Sequence, residues 1–279
     1  MGEQMSNGSS LDNLAQVLDG IGPVVVAFSG GVDSTVLAEA SNRILGRENV
    51  LVVTAVSPSL PSIELSECLE LSKANNWRFS HVETFELANP KYVENGPDRC
   101  AFCKDALMDS LTPLAHIENA TIVLGVQKDD LASDRPGQGA AMKRGARFPL
   151  VEAGIGKAEV RKLALEFGLE VWNKPAMACL ASRLPTGTPV TIEKLHQVEE
   201  AEKGLLNLGY RDIRVRHHGN LARVEVLEMD LVRLFDRANR LAVVDAVKNA
   251  GYKWVTVDLV GRKAEKMVDE REMGVVGNI

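Results

Sequence analysis

The chain is most tightly constrained just after its first apolar run. Val24-Val25-Val26-Ala27 is followed by Phe28-Ser29-Gly30-Gly31-Val32-Asp33-Ser34-Thr35, and Val36-Leu37-Ala38-Glu39-Ala40 continues with helical character. A strand, a glycine turn and a helix N-terminus in that order make a cradle for an anion. The glycines let backbone N–H groups approach phosphate oxygens, and the helix dipole adds partial positive charge. The lysine of G-x-x-x-x-G-K-[ST] is missing, which separates this stretch from the usual nucleoside-triphosphatase loop. A serine-rich turn that only caps a helix is the alternative. Strand, loop and helix all fall where a cradle needs them.

The rest of the first two thirds repeats the alternation. Leu11, Leu14, Leu18 and Ile21 mark a short amphipathic helix before the first strand, which covers roughly residues 23–28. The helix after the loop stops near Gly46, and Val50–Val56 reads as a buried second strand. A helix from Pro61 to Ala74, a strand over Arg78–Val82, a helix over Cys100–Leu114 and a strand over Thr121–Gly125 follow. A helix from Lys157 ends at Gly168. This order predicts an α/β fold with a doubly wound parallel sheet and a ligand at the carboxyl ends of its strands. The stretch from Gln127 to Leu150 is rich in glycine and charge and reads as one long loop, functional or disordered. Within it, Asp129-Asp130 suits either Mg²⁺ or nucleotide contacts, and a solvated turn equally well.

The character changes around Pro185-Thr186-Gly187-Thr188-Pro189, placing residues 1–187 in the α/β domain and 188–279 in a small α+β domain. The smaller one is predicted as a helix over Ile192–Leu208, strands over Ile213–His217 and Ala222–Val226, a helix over Leu231–Ala250 and a strand over Trp254–Asp258. Beyond Gly261 the tail reads as loosely ordered. Arg214 and Arg216 alternate along a strand and so share a face. With Arg183 or Arg223 they suit a clamp on phosphate or carboxylate, against the alternative of a solvated basic face. Glu225 is a partner for these arginines or for a metal.

Composition narrows the class. Of 279 residues, 45% are hydrophobic and 25% charged, which fits a soluble globular protein. No stretch approaches the ~20 apolar residues of a membrane span, and no signal peptide is evident, so a cytoplasmic protein is expected. The net charge of −6 argues against bulk nucleic-acid binding. Four cysteines do not make a disulfide scaffold; Cys100-Ala101-Phe102-Cys103 and Cys179 read as metal or redox chemistry, and Cys68 as core. Three thiolates suit a [4Fe–4S] cluster with one iron free of protein ligand better than a four-ligand structural zinc. A redox pair, or merely buried small residues, also explains Cys-x-x-Cys alone.

Ser29-Gly30-Gly31-Val32-Asp33-Ser34 resembles the pyrophosphate loop of the ATP pyrophosphatases, which cleave ATP between the α and β phosphates. Further motifs extend the likeness: Arg99-Cys100-Ala101-Phe102-Cys103-Lys104, Asp129-Asp130 with Arg135-Pro136-Gly137, Cys179-Leu180-Ala181-Ser182-Arg183, Arg214-Val215-Arg216 and Ala222-Arg223-Val224-Glu225. Over most of its length the chain resembles the LarE family, sulfurtransferases that build the pyridinium thiocarboxylate of the lactate racemase nickel-pincer cofactor. The resemblance implies the pyrophosphate-loop type of α/β fold, with residues 188–279 as a substrate-binding or oligomerisation domain. It implies ATP, Mg²⁺ and pyridinium-3,5-biscarboxylic acid mononucleotide as ligands, adenylation of a carboxylate, and displacement of AMP by sulfur. Ser29, Gly30, Gly31, Asp33, Ser34, Gly125, Asp129, Arg135, Ser182 and Arg183 become nucleotide or cofactor contacts. Cys179, Lys104, Arg214 and Arg216 become catalytic. Some members sacrifice the sulfur of a cysteine at the position of Cys179. Others have three cysteines, here Cys100, Cys103 and Cys179, holding a [4Fe–4S] cluster that carries an extra sulfide, and this chain is read as that type. A homo-oligomer and an unidentified sulfide donor are expected, with no membrane or nucleic-acid partner. Gln127 stands where asparagine is common and Asp134 where tyrosine is common, which bears on the fine contacts.

Two other classes share parts of this pattern. A cluster-dependent tRNA thiolase has the same loop and cysteines, but no histidine precedes Asp129-Asp130 here and the acidic balance disfavours tRNA. An ammonia-using adenylating ligase, such as an NAD or GMP synthetase, has no need of three thiolates. Apart from these two, a non-catalytic nucleotide sensor is a further reading.

Overall fold

The computed structural model describes residues 9–132, 136–175 and 178–263. Asp134, Arg135 and the tail from residue 264 onward lie outside the described residues. In chain order the first elements are α1 (Ser10–Ile21), β1 (Val24–Ala27), α2 (Val32–Leu45), β2 (Val50–Val56), α3 (Ser62–Ala74) and β3 (Phe79–Glu83). Next come α4 (Pro90–Val93), α5 (Arg99–Ile117), β4 (Thr121–Leu124), α6 (Pro136–Lys143), α7 (Pro149–Glu152) and α8 (Lys157–Glu166). The last are α9 (Ile192–Asn207), β5 (Arg214–His218), β6 (Leu221–Glu225), α10 (Leu231–Phe235), α11 (Arg237–Asn249) and β7 (Trp254–Val257). The chain divides into two compact units. One comprises Met1–Ser57, Ser62–Glu86 and Cys100–Lys174; the other comprises Pro58–Pro61, Leu87–Arg99 and Pro175–Ile279.

The first unit is built on a four-stranded, all-parallel sheet in the order β3-β2-β1-β4. Side chains along a strand alternate between faces, and here both faces are buried, which explains the unbroken apolar runs. Val24, Val26, Val50, Val52 and Val123 pack with Leu14 and Leu18 of α1, Val36, Leu37 and Ala40 of α2, and Val160 and Leu163 of α8. Val25, Val53, Ile122 and Leu124 pack on the other face with Leu107, Met108 and Leu111 of α5 and Ala141 of α6. Each valine, leucine, isoleucine or methionine among them contributes about 1.5–3 kcal/mol by leaving water. Strand order reverses between β1 and β4, so the loops that follow these two neighbours flank a crevice at their carboxyl ends.

The second unit carries a three-stranded sheet, β5-β6-β7, with β5 and β6 antiparallel and β6 and β7 parallel. Val215, Ala222 and Val224 face a core that includes Leu205 of α9 and Val243 and Val247 of α11. The opposite face of β5 and β6 holds Arg214, Arg216, Arg223 and Glu225, because Arg214 sits across from Glu225 and Arg216 across from Arg223.

Three expectations change. The stretch Gln127–Leu150 is not one open loop: it contains a 3-10 turn at Lys128–Ala132 and the helices α6 and α7. Packing overrides the poor helix propensity of its glycines, since Ala141 is fully buried and a Cβ on Gly137 would lie 2.9 Å from the Cys100 carbonyl oxygen. The predicted helix over Leu231–Ala250 is broken at Asp236, whose extended backbone ends α10 and whose carboxylate caps the Ala238 and Asn239 N–H groups of α11. Finally, α5 runs past Leu114 to Ile117 with Pro113 inside it. Among the described residues no helix is long and apolar enough to cross a membrane.

Candidate functional site

The loop after β1 is shaped by its own hydroxyls. Ser29 donates its N–H to Ser34 Oγ at 3.2 Å, the two hydroxyls lie 3.1 Å apart, and Ser34 Oγ donates to the Gly31 carbonyl at 3.0 Å. Thr35 Oγ1 donates to the same carbonyl at 2.8 Å. Gly31 is the N-cap of α2 and supplies no side-chain cap, so the first turn is not closed off by its own N-cap. Gly30 has φ +69, the left-handed region that favours glycine, and a Cβ there would lie 2.9 Å from Cys68 Sγ. From the neighbouring strand, Gly125 presses on the start of α2: its Cβ would lie 2.6 Å from Ser34 N and 2.9 Å from the Asp33 carbonyl carbon. The first unit therefore brings Ser29, Gly30, Gly31, Asp33, Ser34 and Gly125 to one place. A helix N-terminus with close backbone approach at a switch point is an anion site.

Other predicted residues of this unit are held differently. The Asp129 carboxylate accepts the Lys157 N–H at 2.7 Å, capping the start of α8, and Gln127 Oε1 accepts the Asp129 N–H at 2.8 Å. Cys100, Cys103 and Lys104 lie in the first turns of α5, where Gly137 fits against the Cys100 carbonyl and Lys104 Cγ. Cys100 is exposed and Cys103 half-buried, whereas burial pushes the Cys68 thiol up to about 11.

The second unit gathers the remaining candidates. Arg183 is buried and spans the turn that follows Cys179, donating to the carbonyls of Ala178 at 2.6 Å and Cys179 at 3.3 Å. Its other nitrogens pair with Glu202 at 2.8 and 3.1 Å, and Glu202 also accepts the Val215 N–H at 2.9 Å. Arg216 donates to the Ser182 carbonyl at 2.9 Å and to both oxygens of Glu225 at 2.9 and 3.2 Å; Arg223 reaches Glu225 at 3.0 Å. Arg99 donates to the Ala181 carbonyl at 2.8 Å. The exposed Cys179 thus sits on a turn clamped by three arginines. Burial, together with the cations of Arg262, Arg183 and Arg216, lowers the pKa of Arg214. A cation so crowded is a ready partner for an anion.

Comparison with known proteins places the chain among relatives. No protein-family model matches the chain. An uncharacterized protein of Synechocystis is 41% identical over 260 residues, 93% of this chain and 97% of that protein. A Lactiplantibacillus plantarum protein named pyridinium-3,5-bisthiocarboxylic acid mononucleotide synthase is 35% identical over 260 residues, 92% of each chain. The chain belongs to the LarE family. An uncharacterized protein of Methanocaldococcus jannaschii is 28% identical over 237 residues, covering 85% of this LarE-family chain.

Among the described residues no three His, Cys, Asp or Glu side chains stand together as a metal-ligand group. Cys100 and Cys103 belong to the first unit and Cys179 to the second. Two functional candidates of this LarE-family chain escape sequence reasoning. Glu202 occupies a core position of α9, in register with Leu195, Val198 and Leu205, and a carboxylate in that stripe was the available signal. Lys174, beside Pro175, carries no such signal. Its ammonium reaches the Gly30 carbonyl at 3.2 Å, Glu64 at 3.0 Å and Glu67 at 2.6 Å.

Proposed function

We propose that the chain is an ATP-dependent sulfurtransferase that adenylates a carboxylate of pyridinium-3,5-biscarboxylic acid mononucleotide and converts it to a thiocarboxylate. The observation that carries the reading is the glycine loop at the switch point, with Gly125 packed on the first turn of α2. The name of the 35%-identical relative supports the substrate. A carboxylate is a poor electrophile at neutral pH. In the first step its oxygen attacks the α-phosphorus of ATP and the bond to pyrophosphate breaks. The N–H groups of the Ser29–Ser34 loop hold the departing pyrophosphate, and Mg²⁺ supplies further charge neutralisation when bound. A sulfur nucleophile then attacks the acyl carbon and AMP leaves with the former carboxylate oxygen.

Arg214, with Arg216 and Arg223 on the same sheet face, binds the phosphate or the second carboxylate of the substrate, and Lys104 stabilises the adenylate. Arg183 and Ser182 shape the turn that presents Cys179. The reading includes Asp129 at the nucleotide, nickel-pincer cofactor biosynthesis as the setting, a homo-oligomer, a cytoplasmic location and an unidentified sulfide donor. It also includes a [4Fe–4S] cluster on Cys100, Cys103 and Cys179.

The test is anaerobic incubation with ATP, Mg²⁺, sulfide and the biscarboxylate mononucleotide, following AMP, pyrophosphate and the mass of the thiocarboxylate product. Substrate-dependent release of AMP with a thiocarboxylate product is expected. Release of AMP with no thiocarboxylate formed would overturn sulfur transfer, full activity after replacement of Cys100, Cys103 and Cys179 together would remove the cysteines from it, and iron and sulfide analysis decides the cluster.

A further inference from the structure

Beneath the glycine loop lies a charged group that the proposed chemistry does not use. Lys174 has 17% of its side chain exposed and Glu64 has 4%; Glu67 is the more open partner at 41%. The ammonium reaches both carboxylates and the Gly30 carbonyl, so its three N–H donors match three acceptors. Burial disfavours the charge on Lys174, but the hydrogen bond to Glu67 and the field of Glu64 outweigh it and hold the pKa up. The group remains a cation.

Its position matters because of the peptide it holds. The Gly30–Gly31 bond is trans, so the Gly30 carbonyl and the Gly31 N–H point in opposite directions. A peptide between two glycines is also the kind most easily turned over, since neither residue resists the required change in φ and ψ. Were it to turn over, a carbonyl oxygen would face the anion where an N–H is needed.

We propose that Lys174 is a positioning residue for the loop, pinning the Gly30 carbonyl inward and thereby aiming the Gly31 N–H outward at a pyrophosphate. The inference rests on the reading of the loop as a pyrophosphate site. A second effect acts in the same direction. Without the ammonium, two carboxylates would stand unbalanced beneath an anion-binding loop. Glu64 and Glu67 fix the ammonium in place, and Cys68, with its thiol against Gly30, fills the space beside it.

The test compares calorimetric affinities for Mg²⁺-pyrophosphate, Mg²⁺-ATP and AMP in the wild type, Lys174→Met, Lys174→Arg and the triple variant K174Q/E64Q/E67Q. The triple variant removes the unbalanced carboxylates and remains informative should Lys174→Met fail to fold. Lys174→Met and the triple variant are expected to bind pyrophosphate and ATP about tenfold or more weakly, the scale of one charge-assisted hydrogen bond. AMP affinity stays unchanged, because AMP lacks the phosphates the loop receives, and Lys174→Arg recovers part of the loss. A folded triple variant that binds pyrophosphate like the wild type overturns the positioning role, as does an equal loss of AMP binding. A wild type that binds neither ATP nor pyrophosphate overturns the functional reading itself.

Discussion

Arg183 and Glu202 meet as a two-point ion pair, Nε to Oε1 at 2.8 Å and Nη2 to Oε2 at 3.1 Å, with the arginine side chain 1% exposed. The same carboxylate accepts the Val215 N–H, tying α9 to β5. Removing it strands a buried guanidinium. Glu202→Ala is therefore expected to cost roughly 3–5 kcal/mol of stability, and Glu202→Gln, which keeps an acceptor, distinctly less. Urea denaturation measures both; an alanine variant as stable as the wild type would show that the pair holds nothing.

Two glycine substitutions should have opposite signs. Gly125→Ala drives a Cβ to 2.6 Å from Ser34 N and 2.7 Å from Ser34 Cα, backbone atoms that cannot rotate away. The expected cost is roughly 1–3 kcal/mol, with ATP affinity falling as the first turn of α2 shifts. Gly20 lies inside α1 with nothing within 4 Å of its would-be Cβ, so Gly20→Ala should stabilise by up to about 1 kcal/mol. Thermal melts of the two variants, with and without ATP, decide.

The thiols should react in an order set by exposure and ionisation. Cys68 is fully buried and its thiol is pushed up to about 11, so below that pH it is neutral as well as inaccessible. Cys100 and Cys179 are exposed. With iodoacetamide at about pH 8, peptide mass spectrometry should find Cys100 and Cys179 alkylated first and Cys68 only after unfolding. Early labelling of Cys68 would contradict the packing beneath Gly30.

Glu225 predicts part of the acid response. Burial raises its pKa, but the hydrogen bonds and charges of Arg216 and Arg223 win, and the folded carboxyl lies below its ordinary value of 4.5. A depressed pKa gives stability that is present above the unfolded value and lost as the pH falls through the folded one. The loss should therefore fall on the acid side of 4.5. Glu225→Gln should flatten the stability profile there while lowering stability at neutral pH. Denaturation midpoints across that acid window provide the check, and an unchanged slope would remove Glu225 from the account.

The parts of the fold readable in advance are those whose cause is local. Val50–Val56 is a strand in sequence and structure alike, because burial on both faces leaves an unbroken β-branched run. Ser29–Ser34 was legible as a loop between a strand and a helix, whereas the packing of Gly125 on the start of α2 was not. Residues whose partners are distant were not. Lys174 acquires meaning only when Gly30, Glu64 and Glu67 come to it, and Glu202 when Arg183 does. The helix α6 depends on the fit of Gly137 against Cys100, which no propensity encodes. The break at Asp236 was readable as an N-cap and was hidden by the continuing apolar pattern on either side.

The unit that carries Cys179 is threaded from three stretches of chain: Pro58–Pro61, Leu87–Arg99 and Pro175–Ile279. Ser59 and Tyr92 share a 2.5 Å hydrogen bond, and Asn95 donates to the carbonyls of Pro185 and Thr188 at 2.9 Å each. During synthesis, the two early stretches leave the ribosome long before the sequence that completes their unit. The parallel sheet can close first, while Asn95 waits for the last third of the chain. A protein stalled before Pro185 would expose that waiting surface, making translation speed and chaperone access part of how this cysteine turn is assembled.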